Sequence, residues 1–123
     1  MSDSFDQQFL VLQQRFVKNL AERKLRINSF YAQLLSLNEK SKSLEVLVSL
    51  HREVHNLTGA AGCYQFVDLA KEARKLEDLL WEPLRKDSQV LITSKWLETL
   101  LSNLATLVAF IEQLLEEQTK ADC

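Results

Sequence analysis

The sequence predicts an all-α fold: an antiparallel up-down-up-down four-helix bundle with an additional or extended N-terminal helix. Three observations lead there. The 123 residues include two glycines and one proline, too few breakers for the many turns of a sheet-rich fold. Leucines and aromatics recur at three- and four-residue steps over long stretches, the period of an amphipathic helix. Short polar links between those stretches favour antiparallel neighbours. Residues 1–123 form one domain, long enough to bury roughly two thirds of the surface its unfolded chain exposes.

The first helical stretch covers residues 4 to 37, in one piece or two, on Phe5, Phe9, Leu12, Phe16, Leu20, Leu25, Phe30, Leu34 and Leu37. Ser4 with Gln7 makes a capping box. A single helix of that length would measure about 50 Å, more than a bundle of this size ordinarily needs. Its Phe-rich start has two open roles, extending the core or mediating dimerisation. Asn38 to Ser43 is a polar loop with serine caps, and Leu44, Leu47, Leu50, Val54, Leu57 and Ala61 then carry a second helix. A third runs from about Phe66 to Glu82 on Leu69, Ala73, Leu76 and Leu80, and Pro83 ends it. Leu84 to Ile92 reads as a connection. Thr93 or Ser94 caps a last helix built on Trp96, Leu97, Leu100, Leu101, Leu104, Leu107, Val108, Ile111, Leu114 and Leu115.

Composition sets aside several function classes. A formal charge of −2, with fifteen Lys and Arg spread among seventeen acids, leaves no basic footprint for nucleic acid. The longest charge-free stretch, Thr99 to Ile111, is shorter than the roughly 20 apolar residues of a membrane span, and residues 1–6 lack the pattern of a signal peptide. The expectation is a cytoplasmic protein without membrane or nucleic-acid partners. Cys63 and Cys123 lack metal-ligand spacing; Cys63 reads as a packing residue and Cys123 as a tail residue.

Both glycines follow a histidine, in Val54-His55-Asn56-Leu57-Thr58-Gly59-Ala60-Ala61-Gly62. A helix-interior glycine is about 1 kcal/mol less favourable than alanine, so bare backbone beside one imidazole suggests access to His55. With His55 at 0° on a helical wheel, Leu47, Leu50, Val54, Leu57 and Ala61 fall between about 200° and 280° and face the core. Glu45, Ser49, Arg52, Glu53 and Asn56 fall between about 60° and 160°, the solvated face. Leu44, Val48, His51, Gly59 and Gly62 lie within about 40° of His55, on the stripe between. That stripe suits a reactive group in a docking surface; equally, small residues beside a boundary histidine suit two closely packed helices.

His51 and His55 have the four-residue spacing of two metal ligands on one helix face. A zinc-protease reading fails because Arg52 follows His51 directly, Glu53 faces away and no third ligand is evident. No phosphate-binding loop and no glycine-containing nucleophile turn occur either. The expectation is therefore no bound metal, no cofactor and no kinase activity.

The run His55-Asn56-Leu57-Thr58-Gly59-Ala60-Ala61-Gly62, continuing through Phe66, Leu69, Ala73, Leu76 and Glu77, resembles the histidine phosphotransfer (Hpt) domain family over about 23 residues of the pattern H-x-L-K-G-x-x-G-x-x-G-F-x-x-L-x-x-x-A-x-x-L-E. The resemblance implies that His55 accepts a phosphoryl group from a receiver-domain phospho-aspartate, or from a partner sensor histidine kinase, hybrid or not, and passes it to another receiver. It implies magnesium on the receiver, Gly59 and Gly62 as the family's small positions, and Glu77 as the acceptor that orients the ring through Nδ1. Leu44, Val48, His51 and Arg52 are expected on the docking surface. The sequence departs from the pattern at Thr58, where the family has lysine, and at Gln65, where it has a third glycine. Arg52 is a candidate substitute cation, or an ordinary surface arginine. A degenerate docking module without transfer, and a plain helical bundle with an incidental histidine, are the alternatives.

Overall fold

In the computed structural model, which describes residues 2–36, 40–85 and 94–122, the chain forms four α-helices, with no strand among the described residues. They are α1 (Ser2–Ser36), α2 (Lys40–Cys63), α3 (Val67–Arg85) and α4 (Ser94–Asp122). Helix α1 runs beside α2 and α4, and α3 beside the same two; the diagonal pairs have no close backbone approach among the described residues. Contacts between neighbours pair early residues of one helix with late residues of the next. Gln13 of α1 meets Tyr64, just past the end of α2, and Arg23 meets Glu53 further back on α2, while His51 and His55 of α2 meet Trp81 and Glu77 of α3.

The core is aliphatic. Leu47, Leu50, Val54, Leu57 and Ala61 of α2 are all buried, as their wheel positions require, against Leu69, Ala73, Leu76 and Leu80 of α3 and Leu100, Leu104, Leu107 and Ile111 of α4. On α1 the buried series is Phe16, Val17, Leu20, Ile27 and Leu34. Three expected core positions fall elsewhere: Leu25 and Phe5 are 69% and 68% exposed, and Leu12 is also exposed. The five-residue step from Leu20 to Leu25 turns about 140° around the helix, away from the core, whereas the seven-residue steps Leu20, Ile27, Leu34 stay on one face. Leu37 lies outside the described residues.

Helix α1 is a single piece of 35 residues, about 52 Å long. It begins at Ser2, so Ser4 sits inside it and is not an N-cap. Helix α2 begins at Lys40 within the expected loop, since no breaker interrupts Lys40 to Ser43 and extending an existing helix needs no new nucleus. Of that loop, Asn38 and Glu39 lie outside the described residues.

Helix α3 does not stop at Pro83 but continues to Arg85, taking in Leu84 from the expected connection. Proline has no N–H to donate to the carbonyl four residues back, which is that of Leu79. The indole Nε1 of Trp96 on α4 donates to that same carbonyl at 3.3 Å, supplying the missing partner. Residues 86–92 of the expected connection, and Thr93 as a cap, lie outside the described residues; Ser94 is already helical.

By length and mean hydropathy alone, Ser94–Lys120 qualifies as a membrane span, against the expectation drawn from its charge-free stretch. Its buried leucines line one face, packed on α1 and α3, while Glu98, Glu116 and Glu117 are exposed on the rest. This is the amphipathic distribution of a bundle helix.

Helix α2 ends in a Schellman motif: Phe66 N–H donates to the Ala61 carbonyl at 2.8 Å and Gln65 N–H to Gly62 at 3.1 Å. Gln65 has φ 66°, the left-handed conformation that glycine adopts most easily. Phe66 then stacks on Phe16 at 5.3 Å, and Gln13 Nε2 donates to the Tyr64 carbonyl at 2.9 Å, tying α1 to the turn. Further along, Arg23 and Arg26 both reach Glu53, whose side chain is only 13% exposed. Glu53 thus belongs to the α1–α2 contact and not to the solvated face that its wheel position predicts. Its long side chain folds back onto the neighbouring arginines.

Candidate functional site

The α2–α3 turn returns the chain so that the middle of α3 runs beside the middle of α2, and there His55 and Glu77 meet. His55 Nδ1 lies 2.8 Å from Glu77 Oε2, with the imidazole 65% exposed and the carboxylate 21%. Burial works to raise the Glu77 pKa, but the hydrogen bond and charge of His55, the Thr58 hydroxyl and the charge of His51 together hold it below the ordinary value. An ionised carboxylate can only accept, so Nδ1 carries the proton of this bond. In the neutral ring, Nε2 then holds the lone pair.

Around this pair the predicted stripe is present. His51 is half-buried, with its ring nearly parallel to that of His55 at 6.1 Å between centroids and 9° between planes. Its other neighbour is Trp81, at 5.9 Å. His51, His55, Glu77, Asp78 and Trp81 line one shallow depression. Leu44 and Val48 are 41% and 45% exposed, an apolar continuation of the stripe along α2. No group of three or more metal-ligating side chains forms among the described residues.

Gly59 and Gly62 are both exposed and have helical, negative φ. A Cβ built on either would meet nothing within 4 Å. Close helix packing is thus not the reason for these glycines, and both lie on the same stripe of α2 as His55.

Thr58 is half-buried, its hydroxyl placed between two acceptors: the Val54 carbonyl at 2.9 Å and the Glu77 carboxylate. Its single O–H can serve one of them at a time, and it adds no charge. Arg52 is exposed, makes no ion pair among the described residues and lines neither depression beside the His55–Glu77 pair, so the structure gives it no contact with the ring. Cys63 is exposed and free, against the expectation of a packing residue; at about 80° from His55 on the wheel it sits on the solvated arc. Cys123 lies outside the described residues.

Sequence reasoning missed Trp81, Asp78, Lys71 and Arg74. The first is signalled by its four-residue spacing from Glu77, which puts both on one face of α3. The other three need the pairing of α2 with α3 before their relation to His55 emerges.

The Hpt domain family model matches residues 11–117. This chain belongs to the Hpt domain family. It is thus a histidine phosphotransfer module of two-component signalling, a class of phosphocarriers without catalytic activity of their own. No curated protein and no solved structure matches the chain significantly. The match takes in all of α2 and α3 and leaves out the first nine residues of α1, the part that holds the exposed Phe5.

Proposed function

We propose that this Hpt domain is a phosphorelay intermediate whose phosphoacceptor is His55, taking the phosphoryl group from a receiver-domain phospho-aspartate, or from a kinase, and passing it to another receiver. The observation that carries this reading is the exposed imidazole held at Nδ1 by Glu77. In the forward step the Nε2 lone pair attacks phosphorus, the P–O bond to the aspartyl carboxylate breaks, and that carboxylate leaves with the electron pair. The Nδ1 proton stays where it is, so the ring becomes a phosphorylated cation beside the Glu77 anion. Magnesium belongs to the receiver in this scheme, and the chain contributes no cofactor.

Gly59 and Gly62 give the partner access, Thr58 steadies Glu77, and Leu44, Val48, His51 and Trp81 form the apolar and aromatic flank on which a receiver docks. The supporting scaffold is an up-down-up-down antiparallel bundle extended at the N-terminus by α1. Opposed pairing between successive helices supports that arrangement. The setting is the cytoplasm, where Hpt domains generally work.

The test is transfer from radiolabelled, phosphorylated receiver domains to the wild-type chain, to His55→Gln and to His51→Gln. Acid-labile, alkali-stable label on wild type and His51→Gln but not on His55→Gln is the expected result. Receiver binding with no label on any chain would instead make this a docking module without transfer.

A further inference from the structure

On the other side of the His55–Glu77 pair from His51 and Trp81, a second depression runs between α2 and α3. Thr58 and Gly62 line it from α2, and the exposed Val67 and half-buried Ala70 give it an apolar stretch on α3. Lys71 and Arg74 stand at its rim, both exposed and neither in an ion pair among the described residues. A third basic residue of the same groove, Lys75, is held by Glu72 at 3.3 Å, as Arg23 and Arg26 are held by Glu53 and Lys24 by Glu112 on other helix contacts. Asp78 lies at the edge shared by the two depressions, so the basic region ends there and faces the Thr58 and Gly62 side.

We propose that this groove recognises carboxylates flanking the phospho-aspartate of the receiver, with Lys71 and Arg74 as the residues that select the partner. The proposal rests on the phosphotransfer reading of His55 and names its partner's chemistry. A receiver surface that brings an acyl phosphate to His55 carries the phosphoryl charge and the oxygen ligands a magnesium ion requires, so it is acidic. Two cations without intramolecular partners are free to meet that charge, and the bare backbone at Gly62 lets an acidic loop lie close to the groove wall. Opposite charge around a small apolar stretch mainly speeds and orients encounter, leaving the chemistry to His55.

The experiment compares the wild-type chain with Lys71→Glu/Arg74→Glu, with the conservative Lys71→Arg/Arg74→Lys, and with Lys18→Glu/Lys95→Glu. The last makes the same change in net charge on α1 and α4. Labelling by phosphoramidate, a small phosphodonor that needs no receiver, is measured first; equal labelling of all four chains at His55 shows each folded and reactive. Affinity for a panel of purified receiver domains is then titrated at low and high salt. The expected result is a loss of about tenfold or more for the groove reversal, recovery in the conservative variant, little change in the α1/α4 variant, and a weaker salt dependence once the groove charges are reversed. Equal affinity and equal salt dependence for wild type and groove reversal, an equal loss in the α1/α4 variant, or binding of no receiver by wild type would each overturn the proposal. If phosphoramidate labels no chain, the phosphoacceptor reading fails on its own, and the titrations still decide the groove.

Discussion

His55 Nδ1 and Glu77 Oε2, on different helices and 22 residues apart in the chain, lie 2.8 Å from each other. The contact fixes which ring nitrogen holds the proton and therefore which one keeps the lone pair in the neutral ring. Orientation of this kind needs an acceptor but not a charge, which separates two substitutions at position 77.

Glu77→Gln keeps a carbonyl acceptor and is expected to retain most of the transfer rate, whereas Glu77→Ala loses about tenfold, the order of one hydrogen bond's net contribution. Nitrogen NMR of the His55 ring checks the cause directly. Wild type and Glu77→Gln are expected to show Nδ1–H in the neutral ring, and Glu77→Ala a shift toward Nε2–H. An unchanged tautomer in Glu77→Ala would remove Glu77 from any orienting role.

The lowered Glu77 pKa gives a pH dependence of known sign. A carboxyl whose folded-state pKa lies below its unfolded value of 4.5 stabilises the fold in full above that value and loses the contribution as pH falls through the lower, folded-state value. Acid unfolding curves of wild type and Glu77→Gln are therefore expected to converge toward the acid end and to separate above it, with wild type the more stable. Parallel curves throughout that range would contradict the assignment.

Gln65 holds φ 66° at the end of α2, where the Schellman hydrogen bonds require a left-handed residue. Gln65→Gly removes the unfavourable contact of a side chain in that conformation and is expected to stabilise by about 1 kcal/mol. A higher melting temperature with unchanged transfer is the outcome to look for; a lower one would mean that the glutamine side chain contributes more than its backbone conformation costs.

What was legible in the sequence follows from what a helical wheel records. Leu47, Leu50, Val54, Leu57 and Ala61 share one narrow arc of α2, so their burial was readable from spacing alone, and so was the placing of His55 on the neighbouring stripe. The same arithmetic failed on α1, where apolar residues cover more of the circumference and Leu25 competes with Ile27 for the core. Helix ends were misread for a different reason: Pro83 signals a stop locally, and only Trp96, thirteen residues later, supplies the donor that allows the helix to continue. Contacts between elements, such as Glu53 with two arginines of α1 or His51 with Trp81, depend on the pairing of helices and leave no periodic trace.

Trp81 is 51% exposed and lies 5.9 Å from His51, one ring away from His55. A receiver docked over His55 covers this indole, so its fluorescence is expected to shift to shorter wavelength and saturate with receiver concentration. Trp81→Phe should abolish the shift while the half-buried Trp96 keeps its own emission. Truncation to Trp81→Ala is expected to weaken receiver binding by about tenfold, as for a central aromatic contact. A full shift in Trp81→Phe would place the docking surface elsewhere.

Gly59 and Gly62 separate the demands of the fold from those of the partner. Each has a helical φ, each sits where a Cβ would meet nothing within 4 Å, and each weakens α2 relative to alanine. Gly59→Ala and Gly62→Ala are therefore expected to stabilise the isolated chain by about 0.5–1 kcal/mol apiece, raising the melting temperature by a few degrees. Labelling of His55 by phosphoramidate should persist, because the added methyl group faces open space beside a small donor. Transfer from a phosphorylated receiver should fall, most at Gly59, because there the same methyl meets the partner's surface. A variant that is both more stable and equally fast with receivers would leave the bareness beside His55 without a function; greater stability with slower transfer would show that the bare backbone serves the approach of the partner.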